Sequence, residues 1–344
     1  MNEQSAVSEQ DPEAQQSISL ERLLSLFEGK QSIAICGHVN PDGDALGSGL
    51  ALASLLRAQG HEVACLLAQD RPAPKLYRFL EGYDFLPAQL YTENPDLFVA
   101  VDSPNLDRLG DARAVFERAK HTLVIDHHPD YSGYADEYYG GSDAPATGLL
   151  VWRILKASGV EISKAMADYC YIALMTDTGR FSYQNTNQES FVAAAQMLAC
   201  GVQPFALSSL VYESKSYAST QLEARLIERI RFAHEGRVAY GWVTESDFDD
   251  LGINRDETEG LPSIIRSLKG VEVAALLRYE EGKVRVNLRS KNACDVGAIA
   301  RAFGGGGHRA ASGFTIDTSL EEALDKTVTA LTDMSCFKTA ANNG

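Results

Sequence analysis

Ile33-Ala34-Ile35-Cys36-Gly37-His38-Val39-Asn40-Pro41-Asp42-Gly43-Asp44-Ala45-Leu46-Gly47-Ser48 is the stretch on which the fold of this chain turns. Residues 33–36 are a short continuous apolar run, the pattern of a strand buried on both faces. His38, Asp42 and Asp44 follow directly, and Leu46, Leu50 and Ala53 then recur at helical spacing. The same figure repeats outward. Apolar runs at 63–67, 97–101 and 123–125 are separated mostly by helical patterns, which predicts a doubly wound, mostly parallel α/β sheet covered on both faces. The run at 97–101 ends on Asp102, and the run at 123–125 on Asp126, His127 and His128. Asp177 follows a further apolar segment, 171–175. Open parallel sheets bind ligands beyond the carboxyl ends of their strands. Three strands therefore deliver carboxylates and imidazoles to one rim.

One Asp after a strand is usually a turn residue or a helix cap, and one His is more often packed than ligating. The constellation outweighs those readings. Carboxylates gathered at one place raise each other's pKa unless a cation is present. Oxygen and imidazole donors without thiolates suit Mn²⁺ or Mg²⁺ better than a structural zinc site.

The remaining chain frames this rim. Its 344 residues suggest two domains, and 45% hydrophobic with 23% charged residues suits a globular protein with sizeable cores. Residues 1–16 read as a disordered acidic tail, and a helix is expected from near Ser19. Residues 17–212 form the predicted metal-binding domain, with a mostly helical stretch from Ala146 to about Ile230. In it, Thr186 to Glu189 has the spacing of a capping box. A helical linker is expected over 213–234. Strand patterns at 238–243, 271–277 and 284–288, then helices over 296–302 and from about Leu320, predict a smaller α/β domain over 235–338. The six cysteines are scattered without a CxxC pair, so free buried thiols in a reducing compartment are expected. No apolar run is long enough to span a membrane and no secretory signal is visible, so a cytoplasmic protein without a membrane partner is expected. The net charge of -16 disfavours gripping long duplex DNA, because counterion release needs many Lys and Arg contacts. Residues 278–309 nevertheless carry seven Lys or Arg against three acids. The glycines at 304–307 lie there too, able to expose backbone N–H groups to a phosphate. No Gly-Lys-Ser/Thr follows them, so they are not a P-loop.

His38 to Ser48, Val101-Asp102, Asp126-His127-His128 and Thr176-Asp177-Thr178-Gly179, joined by Arg289-Ser290 and Gly304-Gly305-Gly306-Gly307-His308, resemble the DHH/DHHA1 phosphoesterase family over nearly the whole chain after the tail. Within it, the chain resembles the compact nanoRNases and pAp phosphatases. The resemblance implies an N-terminal DHH domain joined to a DHHA1 domain and two Mn²⁺ ions, with Mg²⁺ or Co²⁺ as substitutes. His38, Asp42 and Asp102 would hold one ion, and Asp44, Asp102, His127 and Asp177 the other. Asp102 and His128 would be the catalytic pair, with His128 facing the substrate phosphate. Arg289, Ser290, Gly305, Gly306, Gly307, His308 and Arg309 would bind substrate; the Arg309-Ala310-Ala311-Ser312-Gly313 run departs from the family pattern. The implied activity is hydrolysis of short single-stranded RNA to mononucleotides, and of 3'-phosphoadenosine 5'-phosphate to AMP, in a cleft between the two domains. Linear or cyclic dinucleotide messengers are the alternative substrates, and a non-catalytic nucleotide sensor is the alternative of another class. A homodimer is left open.

Overall fold

A computed structural model describes residues 16–70, 84–213, 215–253, 258, 260–291, 294–307 and 309–338. The expected tail over 1–16 lies outside them except for residue 16. The chain divides into two units, Met1–Val211 and Tyr212–Gly344. Along the first run α1 Leu20–Phe27, β1 Ser32–Cys36, α2 Gly43–Ala58, β2 Glu62–Leu67, β3 Leu86–Pro87, β4 Leu97–Val101 and α3 Arg113–Phe116. They are followed by β5 Thr122–Asp126, β6 Glu137–Gly140, α4 Thr147–Ala157, α5 Lys164–Asp177, α6 Gln188–Ala199 and α7 Pro204–Tyr212. The strands lie in the order β3-β2-β1-β4-β5-β6, every neighbouring pair parallel. This is a doubly wound sheet whose order reverses between β1 and β4, and the crevice at such a reversal is where these folds bind ligands.

Alternation along the strands sorts the two faces. Ala34, Cys36, Phe98, Ala100 and Val124 pack with Leu109 and Val115 on one side. On the other lies α2, where a Cβ at Gly49 would come within ordinary contact of Ile35 and Val101. The central strands β4 and β5 are buried throughout, and β1 from Ile33 onward, because both faces are covered, which is why they read as unbroken apolar runs. Ser19 caps α1 as expected, accepting from the Arg22 N–H. The cap of α6 falls one residue later than the sequence spacing predicts. Asn187, not Thr186, accepts from the Ser190 N–H while Ser190 Oγ accepts from the Asn187 N–H. An Asn carboxamide caps as well as a hydroxyl, and Ser190 completes the reciprocal pair.

The second unit contains α8 Tyr217–Glu228, β7 Arg231–Ala233, β8 Val238–Thr244, α9 Glu245–Leu251, α10 Leu261–Ser267, β9 Val273–Glu280 and β10 Lys283–Ser290. After them come α11 Val296–Ala302, β11 Gly306–Gly307, β12 Ala311–Ile316, α12 Leu320–Thr332 and α13 Ser335–Lys338. Its sheet has the order β11-β12-β10-β9-β8-β7 and is mixed, with β8 and β9 parallel and the other pairs antiparallel. Ala275, Leu277, Val286 and Leu288 face Val296 and Leu331, while Ala274, Leu276 and Val243 face Leu222, Leu226 and Ile265. Within the segment expected as a linker, α8 thus buries Leu222 and Leu226 in this unit's core.

One cysteine expectation is corrected. Cys294 and Cys336 form a disulfide with 5.3 Å between their Cα atoms, although 42 residues separate them. The chain beyond β12 returns over the sheet and lays Cys336 against the core that holds Cys294. Cys36, Cys65, Cys170 and Cys200 are free thiols. Burial pushes the Cys65 thiol up to about 12 and those of Cys36 and Cys170 higher, so these three do not suit a thiolate ligand. Among the described residues no single helix is long and apolar enough to cross a membrane.

Candidate metal centre

Each acid of the rim has its own structural reason for being there. Asp42 caps α2, its Oδ1 accepting from the N–H groups of Asp44 at 3.0 Å and Ala45 at 3.1 Å. Asp44 lies in the first turn of α2 and is 1% exposed. The start of α4 points at it: Thr147 N–H donates at 2.7 Å and Gly148 N–H at 2.8 Å, and Ser48 Oγ adds a third bond at 3.1 Å. A helix N-terminus is a favourable neighbour for a buried carboxylate. Asp102 follows β4 with φ 55°, the left-handed region that a short polar side chain tolerates better than most, and accepts from Thr147 Oγ1 at 3.1 Å.

Asp177 arrives differently, as the last residue of α5 and not at a strand end. A helix C-terminus presents carbonyl oxygens, which disfavour a carboxylate. The glycines of α2 let α5 approach closely enough to deliver it. A Cβ at Gly43 would stand 2.6 Å from Thr176 Oγ1, and one at Gly47 would stand 2.5 Å from the Tyr169 carbonyl oxygen. Asn185 holds the end of α5, its Nδ2 donating to the Asp177 carbonyl at 3.1 Å.

The side chains converge. Nε2 of His38 lies 3.4 Å from Asp102 Oδ2 and 3.8 Å from Asp42 Oδ1. Nε2 of His127 lies 3.5 Å from Asp102 Oδ1, 3.6 Å from Asp177 Oδ2 and 3.7 Å from Asp44 Oδ2. Their Nδ1 atoms meet backbone carbonyls, His38 with Val39 at 2.8 Å and His127 with Ala144 at 3.3 Å. A carbonyl only accepts, so Nδ1 carries a proton and Nε2 is the ring atom turned toward the carboxylates. Carboxylates facing one another repel. Roughly 3–3.5 Å is the separation of donors that share one ion through bonds near 2.1 Å. Three groups of donor atoms gather in this way: His38 with Asp42 and Asp102, Asp44 with His127 and Asp177, and Asp102 with Asp126, His127 and His128. Asp102 presents Oδ2 to the first and Oδ1 to the second. All six residues named from the sequence for this role are therefore brought together, and the donor set fits a pair of hard divalent cations.

The electrostatics agree. Burial, then the charges of Asp102, Asp177 and Asp42, push the Asp44 carboxyl well above the usual range, against the Gly148 N–H. Asp177 is pushed up to about 6, by burial and by Asp102 and Asp42, against His127 and His128. Burial also opposes ionisation of Asp102, but the imidazoles of His38, His128 and His127 more than offset it and hold that carboxyl low. Carboxylates forced together in this way are stable only with positive charge among them.

His128 is built for another task. Its Nδ1 lies 2.7 Å from Oδ1 of the fully buried Asp126, which also accepts the His128 N–H at 3.2 Å. Burial lowers its pKa, but Asp126, then Asp102 and Asp177, raise it further, to about 9. The ring is a cation at neutral pH, oriented by a carboxylate as in catalytic His–Asp pairs. Sequence reading placed Asp126 in the cluster without assigning it this part. It also missed Ser48, Thr147, Gly148 and Asn185; the onset of a helical pattern at Thr147 was the only hint of an anion-favouring helix start.

The substrate candidates lie in the second unit. Arg289 and Ser290 end β10, and register sets Arg289 opposite Ala311 and Ser312 between Leu288 and Gly307. Arg289, Arg309, Gly306 and Gly307 thus share one end of that sheet; His308 is outside the described residues. Arg289 Nη1 donates to the Leu288 carbonyl at 2.9 Å, and Arg309 is exposed. Ser290 is buried and its hydroxyl donates to the Cys294 carbonyl at 2.8 Å, a bond that holds the chain after β10. The glycine run is less open than its composition predicts. The N–H groups of Gly304 and Gly305 bond the Arg301 and Ala300 carbonyls and close α11, while Gly306 and Gly307 pair with β12. Gly307 has φ 124°, and a Cβ there would meet the Ala311 carbonyl at 2.7 Å.

Comparisons with known proteins agree with this arrangement. The model of the DHH family, N-terminal domain, matches residues 32–174, and that of the DHHA1 domain matches residues 235–334. The chain is similar to the bifunctional oligoribonuclease and PAP phosphatase NrnA of Thermus thermophilus, 30% identical over 314 residues, which cover 90% of this chain and 91% of the relative. It is 25% identical to the Bacillus subtilis protein of the same name over 298 residues, covering 86% and 91%. Among solved structures, an exopolyphosphatase-related protein from Bacteroides fragilis superposes with a TM-score of 0.84 at 26% identity, covering 91% of this chain and 95% of that one.

Proposed function

Given that this chain belongs to the DHH family, with a DHHA1 domain, and is a hydrolase acting on phosphate esters, we propose that it degrades oligoribonucleotides a few residues long to mononucleotides and converts 3'-phosphoadenosine 5'-phosphate to AMP. The observation that carries the reading is the pair of donor groups sharing Asp102. His38, Asp42 and Asp102 would hold one Mn²⁺; Asp44, His127 and Asp177 would hold a second together with Asp102, with Mg²⁺ or Co²⁺ as substitutes. When bound, such a pair of ions supplies an activated water and offsets the charge that builds on the phosphoryl group.

The chain's own residues do the rest. Thr147, Gly148 and Ser48 fix the Asp44 carboxylate, and Thr147 Oγ1 fixes Asp102. Asp126 keeps His128 charged and aimed, so that the imidazolium donates a hydrogen bond to a phosphoryl oxygen or a proton to the leaving oxygen. Arg289 and His308 would bind a phosphate that is not being cut. Arg289→Ala is expected to lower kcat/KM on a dinucleotide by about 10- to 100-fold, since a charge-assisted contact contributes about 1.5–3 kcal/mol. The loss on p-nitrophenyl phosphate, which has no second phosphate, is expected to be much smaller. Equal losses on the two esters would remove Arg289 from this role.

A turnover panel with Mn²⁺ tests the function: RNA of 2 to 24 nucleotides, 3'-phosphoadenosine 5'-phosphate and cyclic dinucleotides, side by side. The 2-mer is expected to be cut fastest among the RNAs. The net charge of -16 offers the additional phosphates of a 24-mer little attraction. Equal turnover of 2-mer and 24-mer, or turnover of cyclic dinucleotides alone, would overturn the assignment.

A further inference from the structure

Val284, Val286 and Leu288 of β10 face the core shared with Val296 and Leu331, so alternation turns Arg285, Asn287 and Arg289 the other way. On that side Leu222, Leu261 and Ile265 of α8 and α10 cover β8 and β9. The strip of β10, β12 and β11 beyond them is left toward solvent. Arg285 and Thr315 are exposed there, and Asn287, Arg289 and Gly313 are half-buried. Register sets Gly306, Gly313 and Asn287 side by side across the strip. A Cβ at Gly306 would meet nothing within 4 Å, and one at Gly313 would lie 3.5 Å from Asn287 Nδ2. The floor is therefore flat, with the Asn287 carboxamide leaning over it. That carboxamide forms no hydrogen bond among the described residues.

The charge on the strip is one-sided. Arg278 of β9 stands directly opposite Arg285, and like charges in that position destabilise a sheet. Burial, then Arg285, push the Arg278 guanidinium down to about 10, against Glu280. Its Nε is buried with no hydrogen-bond partner among the described residues. Two facing cations with a donor left over favour an anion beside them. Arg285, Asn287 and Arg289 recur at every second residue, so the rungs lie roughly 6.8 Å apart. That repeat is close to the phosphate repeat of an extended single strand. No aromatic residue stands at these positions, so the strip offers bases no stacking surface and addresses the backbone instead.

On the reading that oligoribonucleotides are the substrate, we propose that this strip carries the backbone of a short single-stranded RNA onward from the phosphate at Arg289, one nucleotide to each rung. Asn287 Nδ2 donates to the next phosphate, and Arg285 pairs with the one after it. The path is short. Beyond Arg285 come Lys283, set opposite Glu280, and the turn at Glu281. These acids repel a further phosphate. The grip is complete once one phosphate is being cut and one sits on each of Arg289, Asn287 and Arg285. Contacts that are equal before and during bond breaking lower KM without raising kcat.

The test titrates 5'-phosphorylated, 3'-fluorescein-labelled RNAs of 2, 3, 4 and 6 nucleotides against the Mn²⁺-loaded His128→Ala protein, which cuts too slowly to consume them during the measurement. The dissociation constant is expected to fall about 10- to 100-fold from the 2-mer to the 4-mer and to change little from the 4-mer to the 6-mer. Arg285→Ala in that background is expected to weaken the 4-mer about 10-fold and the 2-mer far less. It should also lower the slope of log Kd against log salt by roughly 0.7, the share of one phosphate on a single strand. Asn287→Ala is expected to weaken the 3-mer and the 4-mer alike and to leave that slope unchanged, because a carboxamide carries no charge. Arg231→Ala, which removes an exposed cation from the far edge strand β7, controls for net charge. Arg285 is exposed and the Asn287 side chain is unbonded, so circular dichroism should stay native in both variants. A 4-mer bound no more tightly than the 2-mer overturns the inference. So does an Arg285→Ala effect that Arg231→Ala reproduces. Binding is read here without cleavage, so a turnover panel without RNA hydrolysis would overturn the substrate, and a flat length series would overturn the strip.

Discussion

Asp102→Asn is expected to lower turnover by at least about 10³-fold, because it removes the one carboxylate that both donor groups share and with it several kcal/mol of charge stabilisation. Asn is the informative replacement. It keeps the shape and tolerates the left-handed backbone at φ 55°, where Ala would add strain. Asp102→Ala should fail at least as completely. Neither change opens a core, because Asp102 stands just beyond β4 and contacts Thr147, His38 and the paired imidazoles. Circular dichroism should therefore remain native while elemental analysis finds fewer than two Mn²⁺ per chain. A variant that retains two ions per chain and normal turnover would sink the assignment of Asp102 as the shared ligand.

The second large effect separates two adjacent histidines. His127→Ala is expected to lose bound metal and activity together, since its Nε2 faces Asp44, Asp102 and Asp177 within 3.7 Å. His128→Ala is expected to retain metal while kcat falls about 10²- to 10⁴-fold, the usual range for removing a positioned proton donor. The neighbours of the two rings differ in kind. His127 meets a backbone carbonyl through Nδ1, which leaves Nε2 toward the cluster. His128 meets a buried carboxylate through Nδ1, which raises its pKa to about 9 and keeps it charged. Elemental analysis beside single-turnover rates decides the matter. Equal metal loss in both variants would refute the division.

Much of this was legible because a parallel sheet imposes a simple grammar. Strands covered on both faces must be apolar throughout, and ligands collect where they end. The residues that follow 33–36, 97–101 and 123–125 could therefore be assigned to one rim before any coordinates. Short elements escaped. β3 and β11 have two residues each, and β6 has four, too few for a period to show.

By itself, then, the sequence determined the strand-and-helix alternation, the residue types at the rim and, through them, the kind of ion that suits it. These depend on local pattern and on the chemistry of single side chains. Only the tertiary structure decided that Asp177 comes from the end of a helix, since its approach depends on α5 packing against Gly43 and Gly47, which precede Asp177 by 134 and 130 residues. It alone decided that Asp126 orients His128, that two cysteines 42 residues apart are bonded, and that the Gly304 and Gly305 amides are taken by α11. It alone turned Phe191, Val192 and Leu198 outward, where the apolar run reads equally well as core. The physical reason is common to these cases. A period shows which residues share a face, but which face meets a neighbour, and which donor meets which acceptor, is set by contacts between segments far apart in the chain.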